Sequence, residues 1–470
     1  MKIRNSNTRI SCVCFLIFLV ILIATSTFAQ GSLERPPTVP INLSYFRIDF
    51  IQPGARPAGL GGAFIGAAQD ETAAAINPAG LIYLKSAGAS LHQRKARLRF
   101  KEPEGTPESE SLNSTHNFHI SNFDQSLVNV FLPVKKITLA IFRQVVFDAR
   151  FNFETRQFLT TDSNTSTRFV LGGLGNFPGR KVDLDLEMVH DAFSIGYALS
   201  KRLSVGVAAK YSVLNFKLNE QLFLDPQVEN GQAPRDNGAE IAYSITTVDD
   251  REAELSFTLG LMAKLMVDKL FLGAVWNLNP TFNLESDLIL PEYKLTVENL
   301  SAESRSNNQF KLSVPDSYGF GLYYIANHRL RLTFDVVRIE YSDLLSGNDL
   351  NVVADDQPNA QGIFVDPDGQ NDLTLDDAIE IHAGAEWLFK VPKLGLMPLR
   401  FGVFTNPGHR IHPISPNPDM RRLFPEAEDR VHFTFGLGVV LTSNLKFDGG
   451  IIVSPDGFEI SGSTLLTVPL

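Results

Sequence analysis

The chain has 470 residues, of which 44% are hydrophobic and 20% are charged, and it contains only two cysteines. This composition excludes a disulfide scaffold and a low-complexity chain. The formal net charge of −10 has the wrong sign for a nucleic-acid partner, since phosphate binding needs basic residues.

The first predicted element is a secretory signal peptide over residues 1–29. Three basic side chains precede an apolar run from Cys12 to Ala24, and Thr27-Phe28-Ala29 offers a cleavage site before Gln30. The alternative is a retained anchor, but a membrane-spanning helix needs about 20 apolar residues, more than this run supplies. We therefore expect an exported chain.

The second predicted element, residues 30–86, shows no sustained alternation and is rich in Gly and Ala from Gly54 to Leu81. Asp70 is placed to cap a short helix over Glu71 to Ile76, which Pro78 would end. Gly59, Gly61 and Gly62 would allow close backbone approach.

Residues 87–470 show strand periodicity in segment after segment. Val431, Phe433 and Phe435 alternate with His432 and Thr434, so one face of this strand is apolar. Fourteen strand candidates follow this pattern, near 87–100, 115–133, 137–153, 184–199, 203–224, 253–267, 270–284, 309–326, 329–345, 377–390, 396–406, 430–442, 444–454 and 458–469.

The connections between these strands alternate between short turns and long polar loops. This arrangement is typical of outer-membrane barrels, in which a closed sheet satisfies every backbone hydrogen bond. We predict an all-β, 14-stranded antiparallel transmembrane β-barrel over 87–470, with a soluble sandwich as the alternative. Residues 30–86 would then form a hatch that plugs the lumen from the periplasmic side, or filler that holds the barrel closed.

The faces of the strands suggest roles for individual side chains. We expect Phe147, Phe151 and Phe153 to face lipid. The ionisable residues expected on inward faces are Asp148, Arg150, His190, Lys210, Lys264, Arg331, Asp335, Glu380, His382, Glu386, Arg400 and His432. They would form a solvated or mutually paired lumen. Alternatively, Arg331 or Arg400 would bind a carboxylate head group, because guanidinium groups match carboxylates.

Phenylalanine is abundant, with 35 residues against ten Tyr and two Trp. Interfacial girdles favour Tyr and Trp, so part of the Phe content serves another purpose. Five Phe residues of the loops and the hatch are candidate contacts for an apolar ligand: Phe46, Phe50, Phe64, Phe169 and Phe177.

Several motifs carry a family resemblance. The hatch contains Ala58-Gly59-Leu60-Gly61-Gly62-Ala63-Phe64, Gln69-Asp70-Glu71 and Asn77-Pro78-Ala79. The barrel contains Val314-Pro315-Asp316-Ser317-Tyr318-Gly319-Phe320-Gly321 and Gly384-Ala385-Glu386-Trp387. Together they resemble the FadL-type outer-membrane transporters of long-chain fatty acids and hydrocarbons.

The resemblance implies a monomeric, hatch-gated barrel for passive uptake of hydrophobic small molecules, in which Asn77, Pro78 and Ala79 gate release. Release sideways through the wall and release into the periplasm both remain open. The sequence of the hatch is also similar to PorV-like relatives. The alternative is therefore an outer-membrane protein that docks or assembles secreted partners. The ending Val468-Pro469-Leu470 lacks the family's terminal aromatic residue.

No sequence motif indicates catalysis. The P-loop, G-x-S-x-G and H-E-x-x-H strings are missing from the sequence, and Asp366-Pro367-Asp368-Gly369 lacks the spacing of a calcium-binding loop. We therefore predict no enzyme activity, metal or cofactor. The expected partners are an apolar ligand and the lipid of the outer membrane of a Gram-negative-type bacterium.

Overall fold

The computed structural model describes residues 48–104, 114–155, 158–159, 176–177, 179–224, 241–266, 269–290, 293–294, 299–300, 304–346, 373–392, 395–414 and 426–469. The predicted signal peptide lies outside these ranges. None of the helices in the described residues has the length and apolar composition needed to cross a membrane.

Fourteen antiparallel strands of the described chain form a closed ring. The ring strands are β1 (Ala87–Glu104), β2 (Ser114–Val134), β3 (Ile137–Thr155), β6 (Gly179–Ala198), β7 (Leu203–Leu224), β8 (Ile241–Met266), β9 (Leu270–Leu278), β14 (Ser317–Ile325), β15 (Leu330–Ile339), β17 (Ala378–Val391), β18 (Gly395–Asn406), β20 (Arg430–Thr442), β21 (Leu445–Ser454) and β22 (Gly457–Val468). Their order around the ring is β8, β7, β6, β3, β2, β1, β22, β21, β20, β18, β17, β15, β14 and β9, which pairs back to β8. The predicted 14-stranded barrel is confirmed.

Shorter elements accompany the ring. The other strands are β4 (Phe158–Leu159), β5 (Asn176–Phe177), β10 (Thr281–Leu290), β11 (Tyr293–Lys294), β12 (Asn299–Leu300), β13 (Ser304–Ser313), β16 (Leu373–Thr374) and β19 (His412–Pro413). The helices are Ala55–Gly59 and Ala73–Ile76, with 3₁₀ turns at Pro78–Tyr83 and Tyr341–Leu345. We call the rim with the short turns the lower rim and the rim with the long connections the upper rim.

The alternation read from the sequence places side chains as expected on most strands. On β20, Phe433 and Phe435 are 57% and 47% exposed on the outer face, whereas Thr434 is 1% exposed on the inner face. Similar outward residues occur on the other strands, so the barrel presents an apolar outer belt, as a lipid-facing wall requires.

Two predicted strands are each broken in the structure. Segment 270–284 divides into β9 and β10 at Asn279-Pro280, and segment 309–326 divides into β13 and β14 at Val314–Asp316. Each break contains a proline, which has no N–H for the ladder. Hydrogen bonds from Asn279 N to Asp316 Oδ1 (2.7 Å) and from Asn279 Nδ2 to Pro315 O (2.7 Å) join the two breaks.

In the third barrel strand, β3, part of the chain turns the opposite face to the lumen from the one expected. A bulge between Val145 and Phe147 shifts the register with β6, and an extra residue exchanges the two faces beyond it. Phe147, Phe151 and Phe153 therefore pack in the apolar cluster of the lumen, and the expectation that they face lipid is wrong.

The same bulge affects Arg150, which together with Asp148 was expected to face inward. Arg150 is 47% exposed and its Nε lies 2.9 Å from Asp148 Oδ1 and 3.4 Å from Asp185 Oδ1. Asp185 belongs to the outward, exposed series of β6. The inward placement of Arg150 is therefore wrong for the same reason, whereas the side chain of Asp148 is 0% exposed.

Candidate functional site

Residues 48–86, the described part of the predicted hatch, form what we call the hatch segment. Its side chains are largely buried, with Ala58, Phe64 and Leu81 at 0% exposure. Asp70 accepts hydrogen bonds from Thr72 N (3.0 Å) and Thr72 Oγ1 (2.6 Å), and the helix that follows covers Ala73–Ile76. The helix predicted from Glu71 therefore exists but starts two residues later.

The hatch segment follows the inner wall from strand to strand. Ala55 lies against β21, Gly59 against β20, Gly61 against β18, Gly66 against β14, and Pro78 against β7 and β6. This order runs backwards through the strand sequence of the barrel. The hatch segment thus lies against most of the circumference of the lower lumen.

Glycines of the wall make this close approach possible. A Cβ atom on any one of them would come within 3.0 Å of the hatch backbone or, at Gly260, of a hatch side chain. We call these residues the wall glycines: Gly196, Gly206, Gly260, Gly273, Gly321, Gly384, Gly402, Gly436 and Gly450. The hatch backbone can touch the wall only because these side chains are missing.

The predicted hatch glycines lie at these contacts. Gly59 faces the Cα of Gly436, and Gly61 faces the backbone of Val403. Gly61 and Gly62 have φ values of +66° and +73°, a conformation that favours glycine. All three glycines thus contact the wall, and Gly61 and Gly62 also have a positive φ.

The predicted gating turn, Asn77-Pro78-Ala79, is pinned to β7 and β8. Asn77 is fully buried, and its Nδ2 donates to Ile65 O (3.0 Å) and Leu261 O (3.2 Å). Its Oδ1 accepts from Ala79 N (3.2 Å), which caps the 3₁₀ turn. Ser204 Oγ donates to Ala79 O at 2.9 Å. The turn therefore links the inside of the hatch segment to the wall.

Buried charges form a second set of connections, centred on Glu386 of β17. Its carboxylate lies 2.8 Å from Arg331 Nη1, 2.8 Å from Arg400 Nε and 3.3 Å from Nε of the hatch residue Arg56. Arg56 also binds Asp70 at 2.8 Å. Both predicted head-group cations are thus ion-paired at the level of the hatch.

Hydrogen bonds from the wall also reach the hatch backbone. Asp335 Oδ2 accepts from Phe64 N (2.6 Å) and Ile65 N (2.7 Å), and His382 Nδ1 lies 2.7 Å from Gly61 O. Phe64 itself packs in the hatch core beneath the guanidinium of Arg56, 5.0 Å from the ring centroid.

Glu71 is a buried carboxyl between the hatch segment and the wall. Burial, together with the neighbouring charge of Asp70, raises the pKa of Glu71 to about 7. Burial alone would also raise the pKa of Asp70, but Arg56 and Lys446 hold it below its usual value. Among the described residues Glu71 Oε2 has no hydrogen-bond partner.

The upper half of the lumen contains a large apolar cluster. Inward side chains of β3, β6 and β7 join β10, β13 and the turn at Tyr341 in one buried cluster, which also contains Ile48 of the hatch segment. Phe50 packs against this cluster, 6.5 Å from the Tyr341 ring centroid. We call these residues the upper cluster.

A cavity of about 80 Å³ lies beside the upper cluster, toward β1 and β22. Phe50, one of the predicted ligand contacts, lines it together with Gln52 of the hatch segment. Phe46 and Phe169 lie outside the described residues, and Phe177 lies in β5, where its side chain is not described.

The wall is also incomplete near the upper rim. The ladder between β2 and β3 joins residues 127–134 to residues 137–144 and ends at the bulge of β3. Beyond it, Asn122 Nδ2 donates to Asp148 O at 3.1 Å. Side chains thus bridge β2 and β3 above Leu127, where the described strands share no backbone ladder.

The described residues contain no group of three or more His, Cys, Asp or Glu side chains placed to hold a metal ion. Sequence reasoning missed Arg56 and the wall glycines. The signal for the glycines was present, because they recur at inward positions of successive strands. One partner of Arg56, Glu386, lies 330 residues away, and no sequence pattern links the two.

The family described as outer membrane protein transport protein (OMPP1/FadL/TodX) matches residues 53–363, more than half of the chain. None of the curated proteins matches the chain.

Solved structures share the fold at low identity. A Pseudomonas aeruginosa FadL homologue is 15% identical, with a TM-score of 0.56 over 89% of this chain and 98% of that chain. The Pseudomonas putida toluene transporter TodX is 13% identical, with a TM-score of 0.51 over 88% and 98% of the two chains. The CymD monoaromatic hydrocarbon channel is 14% identical, with a TM-score of 0.53 over 90% and 99%.

Proposed function

This chain belongs to the family of outer membrane transport proteins (OMPP1/FadL/TodX), and from that premise we propose that it takes up hydrophobic small molecules through a hatch-gated barrel in the outer membrane. The observation that carries the proposal is the seating of the hatch segment on the wall glycines. A polypeptide laid around the lower lumen blocks free diffusion, so passage requires the hatch segment to rearrange.

The apolar side chains of the upper cluster support a hydrophobic cargo. Long-chain fatty acids and hydrocarbons are the two classes expected from the sequence, and the fold is shared with channels whose names specify toluene and monoaromatic hydrocarbons. A pore for polar solutes would have a hydrated, charged interior. The upper cluster instead offers a buried apolar surface against which such molecules can partition.

The cavity suggests that this structure is the closed state. Its volume of about 80 Å³ is below the roughly 300–1,000 Å³ of ordinary ligand pockets. Cargo must therefore displace lining residues, and three of these, Asp49, Phe50 and Gln52, belong to the hatch segment. Ile51 N donates to Val146 O at 2.8 Å, which connects the same segment to the bulge of β3.

This connection suggests a release route. When cargo moves Phe50, it pulls on the bulge that borders the incomplete ladder between β2 and β3. The opening would lie above the hatch contacts, so the hatch segment need not leave the barrel. Sideways release is thus the route that we propose.

The test compares the intact chain with a variant in which Asn77 and Pro78 are both replaced by alanine. We expect a folded, heat-modifiable barrel that has lost uptake of fluorescent fatty acid and labelled toluene. The intact protein should show low single-channel conductance, and deletion of residues 31–81 should raise it strongly. High conductance of the intact protein without binding of apolar ligands would contradict the proposal in favour of a general porin.

A further inference from the structure

The lining of the cavity has an unusual charge composition. Aromatic rings surround it, and the described lining residues include acidic side chains but no lysine or arginine. Its aromatic residues are Phe50, Phe100, Tyr341, Phe404 and Phe458, and its acidic residues are Asp49, Glu380, Asp456 and Glu459.

The nearest cations are already engaged with carboxylates. Arg94 Nε lies 2.7 Å from Glu459, and Arg94 Nη1 lies 3.2 Å from Asp124, so one guanidinium serves two carboxylates. Arg430 pairs with Asp456. The four carboxylates of the lining and Asp124 thus face two guanidinium groups and the imidazoles of two histidines, one of which is His409, 3.4 Å from Asp49 Oδ1.

Glu380 has histidine as its described partner. His382 Nε2 lies 3.2 Å from Glu380 Oε2, while His382 Nδ1 contacts Gly61 O at 2.7 Å. Because a carbonyl oxygen can only accept a hydrogen bond, His382 Nδ1 carries a proton and donates it to Gly61 O. His382 Nε2 can therefore donate to Glu380 only when the ring is a doubly protonated imidazolium. The lining contains one more histidine, His432, whose ring stacks on Phe404 with 4.4 Å between the ring centroids.

Asn406 adds a free acceptor. The Nδ2 of Asn406 donates to Asp49 Oδ1 at 3.2 Å. The amide oxygen of Asn406, its own Oδ1, is therefore the atom that requires a donor. Within the described chain this buried Oδ1 has no hydrogen-bond partner, and Asn406 lines the cavity. A buried acceptor without a partner is costly, and a ligand N–H would satisfy it.

The cations expected to bind a carboxylate head group are elsewhere. Arg331 and Arg400 do not line the cavity and bind Glu386 in the hatch layer. Arg400 Nη1 also lies 2.7 Å from Asp448 Oδ1. A fatty acid in the cavity would therefore meet carboxylates rather than a guanidinium group.

We propose that this cavity selects hydrophobic molecules that carry a protonated amine over those that carry a carboxylate. The inference rests on the proposed function and narrows its cargo by charge. The ammonium group would donate to Glu380 and to Asn406 Oδ1, and the aromatic faces would contact the cation and the apolar body. A carboxylate would be repelled by the same groups, and a neutral analogue would bind between the two.

The test uses three ligands of one shape, 3-phenylpropylamine, 3-phenylpropanol and 3-phenylpropanoate, with the full chain purified in detergent at pH 7. Titration calorimetry should show the amine binding at least about tenfold more tightly than the acid, with the alcohol intermediate. Glu380→Gln should reduce the amine-to-acid ratio and leave the affinity for the alcohol unchanged. Glu459→Gln, which frees Arg94 for an anion, should reduce the ratio as well.

The matched control is Asp249→Asn, which removes a carboxylate that is 82% exposed and paired with Lys217. It should leave the ratio unchanged, and heat-modifiable migration should confirm that each variant is folded. Equal or tighter binding of the acid would overturn the charge selection while leaving hydrophobic uptake intact. Failure of all three ligands to bind would overturn the inference alone if toluene still binds, and failure of toluene to bind as well would overturn the proposed function.

Discussion

The lower and upper halves of the lumen are held together by different forces. In the lower half, the hatch backbone lies on wall glycines, and Arg56 and Asp335 supply charged hydrogen bonds. In the upper half, Phe216, Phe282 and Phe310 pack in a cluster of apolar side chains. Directional contacts fix one arrangement, whereas apolar packing tolerates exchange of one shape for another of similar volume.

This difference assigns sealing of the lumen to the lower half and binding of a guest molecule to the upper half. The hatch segment fits the wall of the lower half in one arrangement, because each wall glycine matches one stretch of hatch backbone. The upper half can rearrange around a guest molecule. We therefore expect substitutions in the lower half to affect sealing, and similar substitutions in the upper half to have small effects.

The largest expected effect comes from Glu386→Gln, which leaves Arg56, Arg331 and Arg400 without their shared carboxylate. Removing one partner of a buried ion pair costs about 3–5 kcal/mol. Urea unfolding in detergent should show a loss of this size, together with a higher conductance.

The control for this variant is Asp191→Asn. Asp191 pairs with Arg143 at 2.8 Å, but the two side chains are 48% and 60% exposed, and exposed pairs contribute less than about 1 kcal/mol. Equal losses for the two variants would show that burial of the Glu386 cluster does not matter for closure.

The next effect concerns pH. Because the pKa of Glu71 is raised to about 7, the folded state holds a proton that the unfolded state releases near pH 4.5. The stabilisation is complete below pH 4.5 and is lost as pH rises toward 7, by up to about 3 kcal/mol. Urea unfolding across this range should show the decline, and Glu71→Gln should flatten it. A Glu71→Gln profile as steep as that of the native chain would contradict this assignment.

A smaller effect is expected from Gly206→Ala. The new Cβ would overlap Pro78 C and Ala79 N, and such overpacking costs roughly 1–3 kcal/mol. The barrel should fold, but the hatch segment should lift from β7, and single-channel recordings should show a leak. Gly462→Ala is the control, since a Cβ there meets no atom within 4 Å. A leak in both variants would show that close packing at the wall glycines does not seal the lumen.

The smallest effect is expected from one substitution made in each half. Leu60→Met lies in the hatch core and Leu312→Met in the upper cluster, and the two leucines are 1% and 4% exposed. A volume-conserving exchange costs less than about 1.5 kcal/mol, so both variants should fold. Uptake should fall only for Leu60→Met. Equal uptake by the two variants would show that the halves are equally adaptable.

Much of the barrel could be predicted because each strand has two different environments. The alternation on β20 follows directly from lipid outside and a packed lumen inside. Which side chains of β3 face the lumen could not be predicted beyond Val145. The extra residue at the bulge is not marked by any particular type of amino acid, so the sequence does not show where the two faces exchange. The breaks at Pro280 and Pro315 could have been read from the sequence, since proline interrupts a ladder.

The site was less predictable than the wall. Asn77 was found through the resemblance, and its hydrogen bonds to Ile65 and Leu261 depend on the folded path of the hatch segment. The role of Arg331 as a head-group cation stays a prediction, although the structure places it in an ion pair with Glu386. Single-sequence reasoning identifies charges on a face but cannot assign their partners.

The backward path of the hatch segment has a consequence for biogenesis. Ala55 and Gly59 are translated before every strand of the barrel, yet they contact Gly450 of β21 and Gly436 of β20. The hatch segment cannot complete its contacts until β20 and β21 have been made and paired. A chain that lacks these two strands would leave the hatch segment undocked, so sealing of the lumen reports that synthesis and assembly have passed β21.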